Sequence, residues 1–239
     1  MTLQLAIDTA TDVGSVALGE PGRIVAEIHF SERRHASVLA PAVDQLLRLA
    51  DVGYDDLAGL VVADGPGSFT GLRIGFAHAQ GLLGGRDDLV LGTVPSLLAA
   101  AWPSVCLLQR PVAAVYDAYR GEVFGAIYDV EARTILAPQC CSVDELVRRS
   151  PVTPAVVVGD GAALYAEQMR VWTGRDPVGP PLGSPRAGTL LQLMALPDAV
   201  TQIADLGEFE PTYGRQAAAQ DRWESTHGRP LHDPARDRR

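Results

Sequence analysis

Four aspartates stand where carboxylates could do chemistry. Asp8, Asp64, Asp117 and Asp160 each follow a short apolar run of the kind that forms a buried strand. We expect their side chains to approach a common cleft, where converging carboxylates could bind a divalent cation. Carboxylates at strand ends more often cap turns, so no metal site is predicted.

The other side chains that bind metals or act as nucleophiles form no recognised motif. The five histidines contain no HxxxH or HExxH pair. The cysteines Cys106, Cys140 and Cys141 match neither a metal knuckle nor a disulfide framework, which fits a reducing cytoplasm. The chain has no lysine and no asparagine, a bias typical of a GC-rich genome. A Schiff-base lysine, a P-loop lysine and an asparagine ligand are therefore excluded.

Residues 63–75, ADGPGSFTGLRIG, form a glycine-rich turn between a predicted strand and a predicted helix, where phosphate is often bound. A P-loop needs GxxxxGK[ST], and this chain has no lysine. The dinucleotide-binding pattern is GxGxxG, whereas this loop reads GxGxxxG. Its third glycine comes one residue later than the pattern requires, which turns it by about 100° around the helix. Ser68 lacks the GxSxG context and the nearby histidine of a catalytic serine, so we interpret it as the helix N-cap.

The composition indicates a globular chain of one large or two modest domains. It has 239 residues, 47% of them hydrophobic and 21% charged, and no apolar run reaches the length of a membrane span. The first residues, MTLQLAID, lack the basic region of a signal peptide, so a cytoplasmic location without membrane contact is expected. The net charge of −9 argues against a self-sufficient nucleic-acid binder.

Hydrophobic periodicity predicts the element order βββαβα twice. The first copy has strands at 3–8, 15–18, 23–30 and 60–63 and helices at 36–50 and 70–83. The second has strands at 112–116, 122–129, 134–138 and 155–158 and helices at about 143–149 and 162–172, the former opened by a capping box of Ser142 and Glu145. Further helices are predicted at 94–102 and 190–194.

This repeat resembles the actin, hexokinase and Hsp70-type ATPases, an α/β fold of two RNase H-like lobes around a cleft. The expected organisation is an N-terminal lobe at 1–102, a C-terminal lobe at 103–215 and a mobile polar tail at 216–239. A helix near 186–196 is expected to pack back on the first lobe. The resemblance is one of fold and does not establish function.

The predicted cleft lacks much of what a nucleotide site needs. The first turn, 8–11, has Asp8, Thr9 and Thr11 but no glycine, and the turn at 117–121 has bulky side chains where backbone should approach a phosphate. Residues 159–161 keep two glycines but no asparagine. ATP hydrolysis by this chain alone is not expected. Asp8, Thr9, Thr11 and Asp117 remain as vestigial cofactor-binding candidates, and no bound cofactor is predicted.

Small residues recur every fourth position in the second predicted helix, at Gly71, Gly75 and Ala79. An interior glycine costs a helix about 1 kcal/mol, which close approach of another element can offset. We therefore expect an exposed seam for a protein partner, although both helix faces could instead be covered within the chain. The expected interface residues are His35, Leu39, Val43, Leu46, Gly71, Arg73, Gly75, His78 and Ala79.

Several of these motifs together resemble the TsaB (YeaZ) family. The matching residues are 5–9 (LAIDT), His35, 65–75 (GPGSFTGLRIG), 117–118 with 120–123, and 210–213 (EPTY) with Arg215. Departures are Ala10, Tyr119 and Gly214, where the family usually has serine, arginine and leucine. They affect the detail of the cleft and leave the family resemblance intact.

The resemblance implies a non-catalytic subunit in the synthesis of threonylcarbamoyladenosine (t6A) beside the tRNA anticodon. It implies pairing with a homologous catalytic subunit, TsaD, contact with the ATPase TsaE, and indirect contact with tRNA. It also implies possible homodimers through the same helices and possible ATP binding at a shared interface. The alternatives are an active ATPase or kinase of the actin-like superfamily that uses Asp8 and Asp117, and, ranked last, a peptidase.

Overall fold

The computed structural model describes residues 2–31, 35–86, 88–204 and 210–213. The predicted polar tail at 216–239, Gly214 and Arg215 lie outside the described residues. Within them, no helix is both long enough and apolar enough to cross a membrane.

The first lobe is built on a six-stranded sheet with the order β10-β5-β4-β1-β2-β3. Its strands are β1 (Gln4–Asp8), β2 (Gly14–Glu20), β3 (Arg23–Phe30), β4 (Gly59–Ala63), β5 (Val90–Val94) and β10 (Thr201–Ile203). β1, β4 and β5 are parallel, whereas β2, β3 and β10 pair in antiparallel fashion. The carboxyl ends of β1 and β4 therefore lie at the same end of the sheet. The turn at 8–11 follows β1, and the glycine-rich turn at 63–75 follows β4.

Both faces of this sheet are covered, because successive strand residues point to opposite sides. On one face, Leu5 and Ile7 share a core with α1 (His35–Ala50) and α2 (Phe69–Leu83). On the other, Ala6 packs in a core with α3 (Ser96–Leu108) and α7 (Ala187–Leu193).

The second lobe has a four-stranded sheet with the order β8-β7-β6-β9. Its elements are β6 (Val112–Asp117), β7 (Val123–Tyr128), β8 (Thr134–Cys141), α4 (Val143–Arg149), β9 (Val157–Val158), α5 (Asp160–Leu164) and α6 (Ala166–Thr173). Helix α3 joins the two lobes, and its buried residues share one core with both sheets. The lobes are therefore held together by packing around the buried residues 97–102 and Val105 of α3.

The predicted βββαβα order is confirmed in both lobes, with two kinds of error. β5 and β10 were not predicted, and the helix predicted at 162–172 is divided into α5 and α6 at Tyr165. The capping box before α4 is half formed, since Ser142 Oγ accepts from Glu145 N at 3.3 Å. The Glu145 carboxylate pairs instead with Arg149, one turn further on.

After residue 186 the chain returns to the first lobe. Helix α7 packs against β2 and β3. Ala187 N donates to Ser15 Oγ on β2 at 2.8 Å, and Gly188 N donates to Glu27 Oε1 on β3 at 2.8 Å. β10 then adds a strand to the outer edge of the first sheet. The first lobe therefore includes the later segment 187–203 in addition to the N-terminal elements.

Candidate functional site

The turn after β1 begins with Asp8, whose side chain is fully buried. Asp8 Oδ1 accepts from Ala10 N at 3.2 Å, while Oδ2 has no hydrogen-bond partner among the described residues. Burial raises the pKa of Asp8 to about 7, because water no longer stabilises the carboxylate. Burial therefore favours the protonated acid of Asp8, compared with an exposed aspartate.

The two threonines of the same turn are used within the chain. Thr9 Oγ1 donates to the Gly71 carbonyl at 2.8 Å, and Thr11 Oγ1 donates to the Val13 carbonyl at 3.1 Å. His35 Nε2 donates to the Thr11 carbonyl at 2.9 Å, which attaches the start of α1 to this turn. Thr9 and Thr11, expected in a nucleotide cleft, and His35, expected at an interface, therefore form bonds within the fold.

The corresponding turn in the second lobe is also bonded internally. Asp117 Oδ1 accepts from Tyr119 N at 2.9 Å, and Asp117 N donates to Asp160 Oδ1 at 3.1 Å. Tyr119 and Arg120 both adopt left-handed backbone conformations, with φ of 61° and 58°, and the Tyr119 side chain is exposed. The bulk that the sequence places in this turn is thus accommodated by its unusual backbone.

The predicted convergence of aspartates is seen for one pair, Asp117 and Asp160. Burial raises the pKa of the phenol of Tyr116, and the charges of Asp8 and Asp160 contribute, so Tyr116 lies within electrostatic range of both turns. Asp64 is half-buried, and burial raises its pKa to about 6. The described residues contain no cluster of three or more His, Cys, Asp or Glu side chains suited to a metal ion.

The glycine-rich loop packs directly on the turn after β1. Ser68 N donates to the Ala10 carbonyl at 2.7 Å, and Ser68 Oγ accepts from Gly71 N at 3.2 Å. The interpretation of Ser68 as the N-cap of α2 is therefore confirmed. The loop aims α2 by bonding its first residues to the preceding turn.

The expected exposed seam is wrong, because the small-residue face of α2 is covered within the chain. A Cβ atom at Gly71 would lie 2.0 Å from the Thr9 carbonyl oxygen, and one at Gly75 would lie 2.5 Å from Thr9 Oγ1. Ala79 is also buried. Only glycine allows this approach of α2 to the end of β1.

The apolar residues of α1 face the same core. His35, Leu39, Val43 and Leu46 are buried, the three aliphatic side chains within the core beneath the first sheet. Of the nine residues expected at an interface, two are accessible: Arg73 is exposed and His78 is half-buried. Burial lowers the pKa of His78, which favours its neutral form near pH 7.

The exposed side of α2 carries a cluster that sequence reasoning missed. The ring of Phe69 lies 4.5 Å from that of Tyr213 between centroids, and Arg73 Nε donates to Tyr213 Oη at 3.1 Å. A groove of about 310 Å³ continues beside it, lined by Arg73, Phe76, Ala77, Gln80, Glu210, Pro211 and Tyr213. The sequence shows the 210–213 motif, but it does not show that this motif packs against α2.

Two α/β lobes that each contain βββαβα, joined through α3, define the actin-like ATPase fold. The structure is similar to the ethanolamine utilization protein EutJ from Carboxydothermus hydrogenoformans, with a TM-score of 0.51 and 14% identity over 81% of this chain and 89% of that one. At this identity the similarity concerns the fold alone.

Sequence comparison identifies the family within this fold. Residues 23–167 match the family model of TsaD, tRNA N6-adenosine threonylcarbamoyltransferase. The chain is 30% identical to the tRNA threonylcarbamoyladenosine biosynthesis protein TsaB of Haemophilus influenzae, over 94% of this chain and 97% of that protein. YeaZ from Pseudomonas aeruginosa superposes with a TM-score of 0.69 at 29% identity, over 81% of this chain and 91% of that one. The chain belongs to the TsaB (YeaZ) family.

Proposed function

We propose that this chain is a non-catalytic subunit that binds and activates a TsaD-type threonylcarbamoyltransferase during t6A synthesis on tRNA. The TsaE-type ATPase joins this pair, and tRNA is contacted through the complex. Family membership supports the pathway, and the match of residues 23–167 to the TsaD model supports a partner of the same fold.

The observation that carries the non-catalytic role is the internal bonding of the cleft turns. The hydroxyls of Thr9 and Thr11 and one carboxylate oxygen of Asp117 bind backbone groups of their own lobe. A phosphate ligand would have to displace these bonds. Of the three groups only Thr9 is buried, and displacing its bond would cost about 1–3 kcal/mol. This arrangement favours structural support over nucleotide turnover; any ATP in the complex then binds at an interface shared with TsaD.

The exposed part of α2 is the best candidate for the docking surface. Arg73 and His78 remain accessible there, and α1 packs beside α2. A homodimer through the same surface is the expected competitor of the heterodimer. The partner surface thus lies outside the small-residue face that the sequence suggested.

The test is a reconstitution from purified subunits of the same organism. The chain, the TsaD-type subunit, the TsaE-type ATPase, a tRNA transcript and threonylcarbamoyl adenylate are combined, and t6A nucleoside is measured by mass spectrometry. We expect product with the complete mixture, a loss of at least about tenfold when this chain is omitted, and no product or ATP hydrolysis with this chain alone.

Catalysis by the isolated chain would overturn the proposal if it depended on the cleft. The decisive variant is Asp8→Ala, checked for folding by circular dichroism, with Asp144→Ala as a control because Asp144 is an exposed aspartate on the second lobe. ATP hydrolysis that persists in Asp144→Ala and disappears in Asp8→Ala would identify this chain as an enzyme.

A further inference from the structure

The aromatic–arginine cluster, Phe69, Arg73 and Tyr213, is a preformed arrangement on the surface of α2. The Arg73 guanidinium carbon lies 4.0 Å from the centroid of the Phe69 ring and 5.6 Å from that of Tyr213. Its Nε donates to Tyr213 Oη at 3.1 Å. Three contacts thus restrict a side chain that would otherwise lose much conformational entropy on binding.

The backbone near Tyr213 is itself fixed to the first lobe. Thr212 N donates to the Asp64 carbonyl at 2.8 Å, immediately after β4. A Cβ atom at Gly65 would lie 2.1 Å from the Thr212 carbonyl oxygen, so the two segments are in close contact. Tyr213 is therefore held in place by the same loop that aims α2.

The charge of Arg73 is not matched within the described part of the chain. No carboxylate of the described residues pairs with it, and its terminal nitrogens donate to none of them. Arg86 provides the contrast, since it pairs with Asp55 and Asp88 and also donates to two backbone carbonyls. Arg73 thus presents two planar donor groups to the outside.

We propose that this cluster is a receptor for a carboxylate side chain of the TsaD-type subunit; the inference rests on the proposed function and names a contact within it. The planar guanidinium binds the carboxylate through paired N–H···O bonds. The adjoining groove receives an apolar side chain next to the acidic one, because Phe76, Ala77 and Pro211 line it. A preoriented arginine with aromatic neighbours has the composition of an interface hot spot.

Two observations favour a protein carboxylate over a nucleic-acid phosphate or base. The chain carries a net charge of −9, which repels a polyanion. Glu210 lines the groove beside Arg73 and would oppose a phosphate backbone there. A single acidic residue on a largely apolar protein surface carries one negative charge, so the net charge of this chain and Glu210 repel it less than they repel a nucleic acid.

The first experiment measures affinity for the purified TsaD-type subunit by calorimetry. We expect Arg73→Glu to weaken binding by roughly 30-fold or more and Tyr213→Phe by a few-fold, because the latter loses only the bond that orients Arg73. Arg110→Glu is the matched control, since Arg110 is exposed, lies two residues beyond the end of α3 and undergoes the same charge change. Circular dichroism and thermal melting verify that each variant is folded.

The absence of lysine allows a direct test of the contact. Arg73→Lys introduces the only lysine side chain, and a zero-length carbodiimide then couples its amine to a carboxylate in contact with it. We expect an isopeptide between residue 73 and one acidic residue of the partner, identified by mass spectrometry, and none from Arg110→Lys.

The outcomes separate the two proposals. If the wild-type chain does not bind the TsaD-type subunit, the proposed function fails. If it binds and Arg73→Glu resembles Arg110→Glu within about twofold, the carboxylate receptor is rejected while the proposed function stands. If Arg73→Glu weakens binding of a labelled tRNA transcript and leaves subunit affinity unchanged, the cluster is a nucleic-acid contact, and the inference is overturned.

Discussion

The two faces of helix α2 differ in what their residues contact. The inner face, with Gly71, Gly75 and Ala79, lies against the end of β1 and is buried. The outer face, with Phe69 and Arg73, meets the segment 210–213 and includes an exposed charge. A stripe of small residues therefore serves close packing inside one chain, and the chemistry suited to a partner lies on the other side of the same helix.

The largest expected effect comes from filling the inner face with Gly75→Leu. A side chain there would overlap Thr9, whose hydroxyl lies 2.5 Å from the position of the added Cβ. We expect a loss of about 3 kcal/mol or more in the free energy of unfolding, or failure to fold. Leucine would overpack this buried contact and displace the Thr9 hydroxyl from its bond to the Gly71 carbonyl. Soluble yield and denaturant unfolding monitored by circular dichroism measure this effect.

Gly81→Leu is the matched control for that substitution. Gly81 lies on the same helix, is exposed, and would place its Cβ within 4 Å of nothing. We expect its stability to stay within about 1 kcal/mol of wild type, since leucine is a good helix former. A folded Gly75→Leu protein that fails to bind the TsaD-type subunit would instead restore the inner face as a docking surface.

The second prediction concerns Asp8, at the end of β1, and the pH dependence that it adds to the free energy of unfolding. Its pKa is raised to about 7 in the folded chain, so between roughly pH 4 and pH 7 the folded state binds more protons than the unfolded state. Stability from this group is therefore present at low pH and decreases as the pH rises. Relative to Asp8→Asn, the wild-type free energy of unfolding should fall by about 4 kcal/mol between pH 4 and pH 8.

Denaturant unfolding of both proteins across this pH range gives the comparison. At each pH the stability of Asp8→Asn is subtracted from that of the wild type, and the variation of this difference with pH is the result. Any pH-independent cost of the new amide cancels. Asp8→Asn keeps an oxygen that can accept from Ala10 N. Parallel curves from pH 4 to pH 8 would show that Asp8 is solvated or paired in solution.

Local patterns were sufficient to predict most elements and the cap of α2. Ser68 is a short-range feature, since its hydroxyl bonds an amide three residues away. The two missed strands depend on distant partners: β10 (Thr201–Ile203) is three residues long and is defined by its pairing with β5 (Val90–Val94). Such a strand has no periodicity of its own to detect.

The same distinction explains the errors at the candidate site. The spacing of Gly71 and Gly75 indicates that something approaches closely, but spacing cannot show whether the neighbour belongs to the same chain. Arg73 and Tyr213 are 140 residues apart in sequence, so their contact depends on the packing of residues 210–213 against the first lobe. The sequence located the helix correctly, but it could not show that the small-residue face is covered within the chain.

A smaller effect is expected at the start of the helix that separates these faces. Ser68→Ala removes the hydroxyl that accepts from Gly71 N and should lower the free energy of unfolding by about 1 kcal/mol. Ser68→Asp keeps an acceptor at the cap and should remain close to wild type. If Ser68→Ala retains full stability but abolishes t6A formation in the reconstituted complex, Ser68 has a chemical role that its capping bond does not explain.

The smallest predicted effect tests whether glycine is needed at the C-terminal end of α2, where the helix is exposed. Gly81→Ala should stabilise the chain by about 0.5–1 kcal/mol, because Gly81 is an exposed helical residue with open space around its Cβ position. Gly85→Ala provides the opposite case, since its Cβ position is equally open but its φ is 81°. We expect that change to cost about 1 kcal/mol. Thermal melting should therefore move in opposite directions for the two variants, and shifts of the same sign would indicate that space, and not backbone conformation, determines the effect of glycine at this end of α2.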